Sequence, residues 1–409
     1  MKWTTKPLSE IADFRLGKML DEKKNKGESL SYLANVNVRW GEFDLENLRE
    51  MRFEHDEMDR YGLTYGDIVM CEGGEPGRCA IWKDAVPGMM IQKALHRIRP
   101  YDCLDHRFLF YSFLYKGRIG GFSPLLTGAT IKHLPREKLA KIEIGFPRLG
   151  VQRGIADILS AYDDLIENNR RRMALLEESA RLLYHEWFVR LRFPGHEHTR
   201  ITDGVPEGWE TKSLASVCSS GDGIQTGPFG SQLHQADYSD EGVPVVMPKD
   251  LVNYRISVAS IARIPEALAD SLGRHRMSRG DIVYGRRGDI GRRAYIGKRQ
   301  AGWFCGTGCL RFRPNPLAIN PLYLFDTLGA PDTLGTIANR AKGSTMPNLS
   351  AGALMSVPIL VASRGLQDIY VEQVEGMREM AEVLDEQNQK LRAARDLLLP
   401  RLMSEELAV

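Results

Sequence analysis

The chain repeats itself once, and that duplication limits what it can fold into more than any other feature. Gly66-Asp67-Ile68-Val69 recurs as Gly280-Asp281-Ile282-Val283, 214 residues further on. The same offset carries Gly74 onto Gly288, Gly77 onto Gly291, Arg78 onto Arg292 and Ala80 onto Ala294. At an offset of 215, Gly128-Ala129-Thr130 meets Gly343-Ser344-Thr345, Leu134 meets Leu349, Ile144 meets Ile359 and Gln152 meets Gln367. Near the starts, Trp3 and Leu8 match Trp209 and Leu214 at 206. So small a drift means loop changes inside one shared fold. The period is too long for a solenoid repeat, so the chain reads as a duplicated domain pair.

Each copy has a two-part layout. The first part, near 1–148 and 206–361, is rich in glycine and short β-prone runs. Ile68-Val69-Met70, Ile142-Glu143-Ile144, Val243-Pro244-Val245-Val246 and Ile282-Val283-Tyr284 predict strands of a mixed sheet. Pro244 predicts an edge position for its strand, because proline cannot donate to a ladder. The second part is a long helix. In 151–190, Ile155, Ile158, Leu159, Tyr162, Leu165, Ile166, Met173, Leu176, Leu183 and Trp187 fall at steps dominated by three and four, interrupted by Asn169. In 366–402, Leu366, Tyr370, Val374, Met377, Ala381, Leu384, Leu391, Ala394, Leu398 and Leu402 do the same. Both are coiled-coil seams, with Pro400 near the end of the second. Each helix is about 50–60 Å long and needs a partner for its apolar stripe. The simplest partner is the other helix. An antiparallel pair with the globular parts at opposite ends, related by a pseudo-two-fold axis, is the expectation. Packing of each helix onto its own globular part is the alternative.

Composition enters mainly to exclude. Of 409 residues, 43% are hydrophobic and 26% charged, which suits a folded protein and not a disordered one. Lys plus Arg number 55 against 53 Asp plus Glu, a net charge of +2, so the chain does not coat nucleic acid by bulk charge. No apolar run reaches the roughly 18 residues of a membrane span, and the first residues lack the apolar core of a signal peptide. Six cysteines without a C-x-x-C pair argue against a disulfide framework and fit a reduced cytoplasm. Cys305-Gly306-Thr307-Gly308-Cys309 reads as a buried strand or turn rather than a metal clip. No P-loop, H-E-x-x-H, G-x-S-x-G or Rossmann glycine pattern is present. Gly73-Gly74-Glu75-Pro76-Gly77, echoed by Gly288-Asp289-Ile290-Gly291, reads as a shared tight turn rather than a nucleotide cradle.

Polar chemistry concentrates near those turns. Between Arg274 and Arg293 lie seven arginines (274, 276, 279, 286, 287, 292 and 293) against two aspartates, 281 and 289. Guanidinium forks in a glycine-rich hairpin suit phosphate oxygens and the O6/N7 edge of guanine; a solvated charged face is the plainer reading. In the first copy Arg78, Lys93, His96, Arg97, Lys132 and His133 form the comparable set, with His96 equally readable as a core histidine. The loop Thr226-Gly227-Pro228-Phe229-Gly230-Ser231-Gln232-Leu233-His234 brings Ser231 and Gln232 to a polar turn able to meet bases or backbone. The candidate nucleic-acid contacts are therefore Arg78, Lys93, His96, Lys132, His133, Gln225, Ser231, Gln232, Arg286, Arg287, Arg292 and Arg293.

Several phrases, in this order along a duplicated chain, resemble the specificity (S) subunits of type I restriction–modification systems. They are Tyr32-Leu33-Ala34-Asn35-Val36-Asn37-Val38 and Gly66-Asp67-Ile68-Val69 in the first copy. At the junction stand Trp187-Phe188-Val189-Arg190, Arg192-Phe193-Pro194-Gly195 and Val205-Pro206-Glu207-Gly208-Trp209. The second copy has Thr226-Gly227-Pro228-Phe229-Gly230-Ser231-Gln232-Leu233 and Gly242-Val243-Pro244-Val245-Val246. The first copy lacks a clear counterpart of the Gly227-to-Leu233 loop. The resemblance implies an α+β chain: two homologous mixed α/β target recognition domains joined by two long antiparallel coiled-coil helices with a pseudo-two-fold relation. The expected divisions are 1–148 for the first recognition domain and 149–192 for the first spacer helix. Residues 193–361 hold the linker and second recognition domain, and 362–409 the second helix. Each domain would read one half of a split target in double-stranded DNA. The helices would set the spacing and dock methyltransferase (M) subunits, two of them, with restriction (R) subunits joining through that complex. The resemblance implies a non-catalytic cytoplasmic chain with no cofactor and no metal. S-adenosylmethionine and ATP would belong to the other subunits. A self-sufficient nuclease or methyltransferase and a coiled-coil adaptor that binds only protein are the competing readings.

Overall fold

The computed structural model describes residues 3–19, 21, 25–229, 232–288, 290–341 and 348–404. The chain divides into two compact units, Met1–Arg171 with Leu384–Val409, and Arg172–Val383.

In the first unit a four-stranded antiparallel sheet runs in the order Ala12–Leu16, Leu95–Pro100, Ile68–Cys71, Cys79–Ile81. In a second sheet, Glu28–Leu33 lies between an antiparallel neighbour, Arg49–Phe53, and a parallel one, Met90–Ile91. Thr4–Pro7 pairs with Glu143–Phe146 at the domain's end. The second unit repeats this plan strand for strand. Its antiparallel sheet runs Ile224–Thr226, Cys309–Phe312, Ile282–Gly285, Arg293–Tyr295. Val243–Val246 lies between antiparallel Ala262–Ile264 and parallel Phe304–Cys305, and Glu210–Ser213 pairs with Pro358–Val361.

The repeated Gly-Asp-Ile-Val phrase has a mechanical reason. Gly66 and Gly280 adopt φ of 88° and 91°, a turn conformation that a Cβ disfavours. The aspartate that follows folds its carboxylate back onto a backbone N–H, from Thr64 to Asp67 at 2.8 Å and from Ser278 to Asp281 at 2.7 Å. The same carboxylate then receives an arginine from the neighbouring strand, Arg99 at 2.7 Å and Arg313 at 2.9 Å. A second layer, Arg97 to Asp13 and Arg311 to Asp222, sits beside the first. Both aspartates that lead the strands are buried, as are Ile68–Cys71 and Ile282–Gly285 throughout, which is why those runs are apolar without alternation.

The first long helix spans Leu149–Tyr184 and closes through a π turn at His185–Val189; the second spans Arg364–Met403. Each begins with a buried glutamine that grips the domain before it. The Gln152 side chain accepts from the Asp105 N–H at 2.9 Å and donates to the carbonyls of Cys103 and Pro147. Gln367 accepts from the Asn320 N–H at 2.8 Å and donates to the carbonyl of Ala362. Asp105 and Asn320 are themselves N-caps of the helices His106–Arg118 and Pro321–Thr327.

Within each unit the two long helices run antiparallel. In the first, Val151, Ile155 and Leu159 share a core with Leu399, Leu402, Phe108 and Phe113. Tyr111 donates to Asp163 at 2.7 Å, and Arg395 pairs with the same carboxylate. Asn169 donates to Asn388 at 3.0 Å, both buried, so the break in the apolar seam is one amide pair. Such a pair specifies register at some cost in stability. In the second unit Ala180, Tyr184 and Phe188 meet Leu366, Tyr370 and Val374 around Tyr323 and Phe325. There Tyr370 donates to Asp326 at 2.8 Å and Arg378 pairs with it at 2.5 Å. The helices thus pack on each other and on the globular cores as well, joining the two packings that the sequence left as alternatives.

One local expectation is corrected. Pro244 lies on a central strand, not an edge; parallel pairing with Phe304–Cys305 begins at Val245, one residue past the proline. Pro400 lies in the last turn of its helix, which ends at Met403, near where the sequence placed that end. The linker also has more structure than its Pro/Gly content suggests. Ile201–Thr202 pairs with Val205–Pro206, and Phe193 and Trp209 are buried in the second unit.

Replacing Asp281 with Ala takes from two buried or half-buried arginines one of the two carboxylates they share, leaving Asp222. Removing one partner of such a cluster costs about 3–5 kcal/mol, so urea denaturation of D281A should show a large loss of stability.

Candidate nucleic-acid interface

One end of the four-stranded sheet gathers most of the predicted polar residues in each unit, and the backbone explains how. In the first unit Glu72 follows directly on the strand Ile68–Cys71. Its N–H donates to the carbonyl of Ala94 at 2.8 Å, and its carbonyl accepts from the N–H of Leu134 at 2.7 Å. Three segments are therefore held side by side, carrying Lys93, Glu72 and Lys132-His133. Lys93 and Lys132 are exposed, and half-exposed His133 places Nδ1 3.1 Å from the Glu72 carboxylate. The second unit has the same crossing. The Arg286 N–H donates to Gly308 at 3.0 Å, and its carbonyl accepts from Leu349 at 2.9 Å. Arg287, bridged to Asn348, is exposed beside it.

The loop of the second unit that begins at Gly227 comes to this crossing. Phe229 is 56% exposed, with the Arg286 guanidinium 5.9 Å from its ring centre. Thr307 donates to the carbonyl of Pro228 at 3.0 Å. Gln232 accepts from the Phe229 N–H and from Arg274. Half-buried Gln225, on the adjoining strand, donates to the carbonyl of Thr226. Ser231 lies outside the described residues. Arg292 is exposed on the far side of the 286–292 turn.

Four predicted residues sit differently from a solvent-facing contact. His96 is fully buried, its Nε2 2.8 Å from the Leu134 carbonyl, and burial lowers its pKa, so it is a neutral core pin. Arg293 is buried with its guanidinium against the rings of Tyr254 and Phe325, 4.9 Å from each, and donates to the Phe325 carbonyl. A Cβ at Gly329 would collide with that guanidinium, so glycine makes its room. Arg78 turns inward to the Asn35 carbonyl at 2.9 Å and to Glu75 at 2.7 Å, holding the glycine-rich turn. Arg286 is 6% exposed and donates weakly to the Leu349 carbonyl, so it is not the exposed arginine that its hairpin position predicts. Cys305 and Cys309 are buried, and burial pushes the Cys305 thiol up to about 12. Among the described residues no group of three or more His, Cys, Asp and Glu could hold a metal ion.

Sequence reading missed one element. Gly17 is the counterpart of Gly227: each donates its N–H at 3.0 Å across the sheet end, to Leu95 and to Cys309. A Cβ on either would collide with a carbonyl, of Gln92 or of Gly306. The segment that starts at Gly17-Lys18-Met19 is therefore the first unit's version of the loop. The signal was the intermediate offset of 210, between 206 at the starts and 214 in the strands.

Two copies of one mixed domain, each with a polar loop cluster at the same sheet end and each bonded to a long helix, define a duplicated recognition architecture. The family model for the type I restriction modification DNA specificity domain matches residues 1–178 and 206–369, and the chain belongs to that family. Two relatives from Methanocaldococcus jannaschii are similar over much of its length. The MjaIX specificity subunit of a type I restriction enzyme is 24% identical over 348 residues, 84% of this chain and 78% of the relative. The MjaVIII specificity subunit is 20% identical over 349 residues, 84% and 79% of the two chains. The crystal structure of a type I restriction–modification S subunit from M. genitalium shares the fold, with a TM-score of 0.57 at 18% identity, covering 98% of this chain and 96% of that one. Among the described residues no helix is long and apolar enough to cross a membrane.

Exposed Arg287 and buried Arg286 should separate on mutation. R287A should leave the melting temperature unchanged, weaken DNA binding and reduce the salt slope of the affinity by about one. R286A should lower thermal stability as well.

Proposed function

We propose that this chain is the DNA specificity subunit of a type I restriction–modification complex, a non-catalytic component that selects the target for its partners. The observation that carries the reading is the duplicated loop cluster: the same three-segment crossing at the same sheet end, built from different residues in the two units. One fold used twice with different polar tips is what a split DNA target requires, because base edges are distinguished by side chains and not by scaffold. Residues 1–148 and 193–361 would be the two recognition domains, and the helices 149–192 and 362–409 the spacer. Lys93, Lys132, His133, Gln225, Gln232, Arg287 and Arg292 would supply contacts to double-stranded DNA, with Ser231 in the same loop and Arg286 behind it.

Partners follow from the same reading. The chain acts with M and R subunits, the M subunits bringing S-adenosylmethionine and the base flipping that adenine methylation needs. Two M subunits per chain is the stoichiometry that a duplicated chain suits. Beyond the cores, Ile158 and Leu165 in the first unit, and Leu175 and Leu182 in the second, are exposed apolar residues one heptad apart. They suit an M subunit surface better than water. The place of action is the cytoplasm, where the DNA lies.

Mapping methylated adenines in DNA from cells that carry this chain with its M subunit tests the proposal. A bipartite motif is expected, and methylation without a split motif would refute it. Binding of the complex to that motif should fall steeply with salt as phosphate contacts are lost. Removing one heptad from both long helices should change the preferred spacer and leave both half-sites as they were.

A further inference from the structure

The two sheet-end crossings differ most at one equivalent position. Glu72 and Arg286 are 214 residues apart, follow equivalent strands and make the same pair of backbone hydrogen bonds. One carries an acceptor and the other a donor. The Glu72 side chain is 21% exposed, and half-exposed His133 places its Nδ1 3.1 Å from the carboxylate. Its immediate neighbours on the crossing are Lys93, Lys132 and His133, the residues that suit a phosphate backbone.

A carboxylate in such a setting has a restricted use. Ionised, it is acceptor-only, and DNA phosphates repel it. The donors that DNA offers in the major groove are exocyclic amino groups, cytosine N4 and adenine N6, and an acidic side chain pairs best with cytosine N4. The equivalent slot of the second unit holds a donor, Arg286, whose buried guanidinium lies against the Phe229 ring, behind the exposed contacts. We infer that Glu72 is a base-reading residue of the first recognition domain, accepting a hydrogen bond from a cytosine amino group, with His133 holding the carboxylate in place. The inference rests on the specificity-subunit reading and names which side chain reads and what it reads.

The test is selection of bound duplexes from a randomised library by the complex of this chain with its M subunit, comparing wild type with Glu72→Gln. The amide keeps the shape but pairs better with adenine N6 and N7. Expected is a change confined to one base pair of one half-site. Preference for cytosine there falls about 5- to 150-fold and adenine gains, while the other half-site stays as in wild type. The unchanged half-site also shows that the variant is folded and assembled. An E72Q motif identical to that of wild type overturns the inference, and so does loss of selection at both half-sites, the mark of a structural residue. Wild-type complex that selects no bipartite sequence defeats the underlying reading and this inference with it.

Discussion

A single buried glutamine ties each globular domain to the helix that leaves it. Gln152 and Gln367 each satisfy the first free N–H of a domain helix and at least one carbonyl at the exit strand. Buried amides of this kind are costly to leave unpaired, so the angle at which helix leaves domain is fixed by hydrogen bonds as well as by packing. Tyr111 to Asp163 and Asp326 to Tyr370 and Arg378 fasten the same joint about one to three turns further along. A domain that reads DNA against a spacer needs such a joint, because a loose one would blur the distance between half-sites.

Beyond the joint, the chain separates what must be constant from what must vary. The aspartate–arginine layers, the strand order and the three-segment crossings recur in both units. The side chains at the crossings do not: Glu72 with His133 in one, Arg286 and Arg287 with Asn348 in the other. The polar side chains change on a backbone held by hydrogen bonds that do not involve them.

Much of this was legible in the sequence, for identifiable reasons. Gly66 and Gly280 mark turns that only glycine adopts easily, and the matched Gln152 and Gln367 turned out to do one job twice. The helical seams followed from periodicity, down to the interruption at Asn169. Burial was harder to read. Seven arginines in one segment suggested a charged face, but Arg286 and Arg293 are buried among carbonyls and aromatic rings, since a residue type does not state which way a hairpin turns. Pro244 misled because the parallel neighbour of its strand starts one residue later. The first unit's Gly17 segment escaped notice because it shares geometry with the Gly227 loop and little sequence.

The first unit is assembled from two stretches far apart in the chain, and this bears on how the protein is made. Leu399, Leu402 and Met403 complete a core whose other buried members lie before residue 160. During synthesis that core stays open at one side until the residues around 403 have left the ribosome. The second unit, drawn from one continuous stretch, can close first. Birth order is thus reversed, and the earlier-made half is the later one finished.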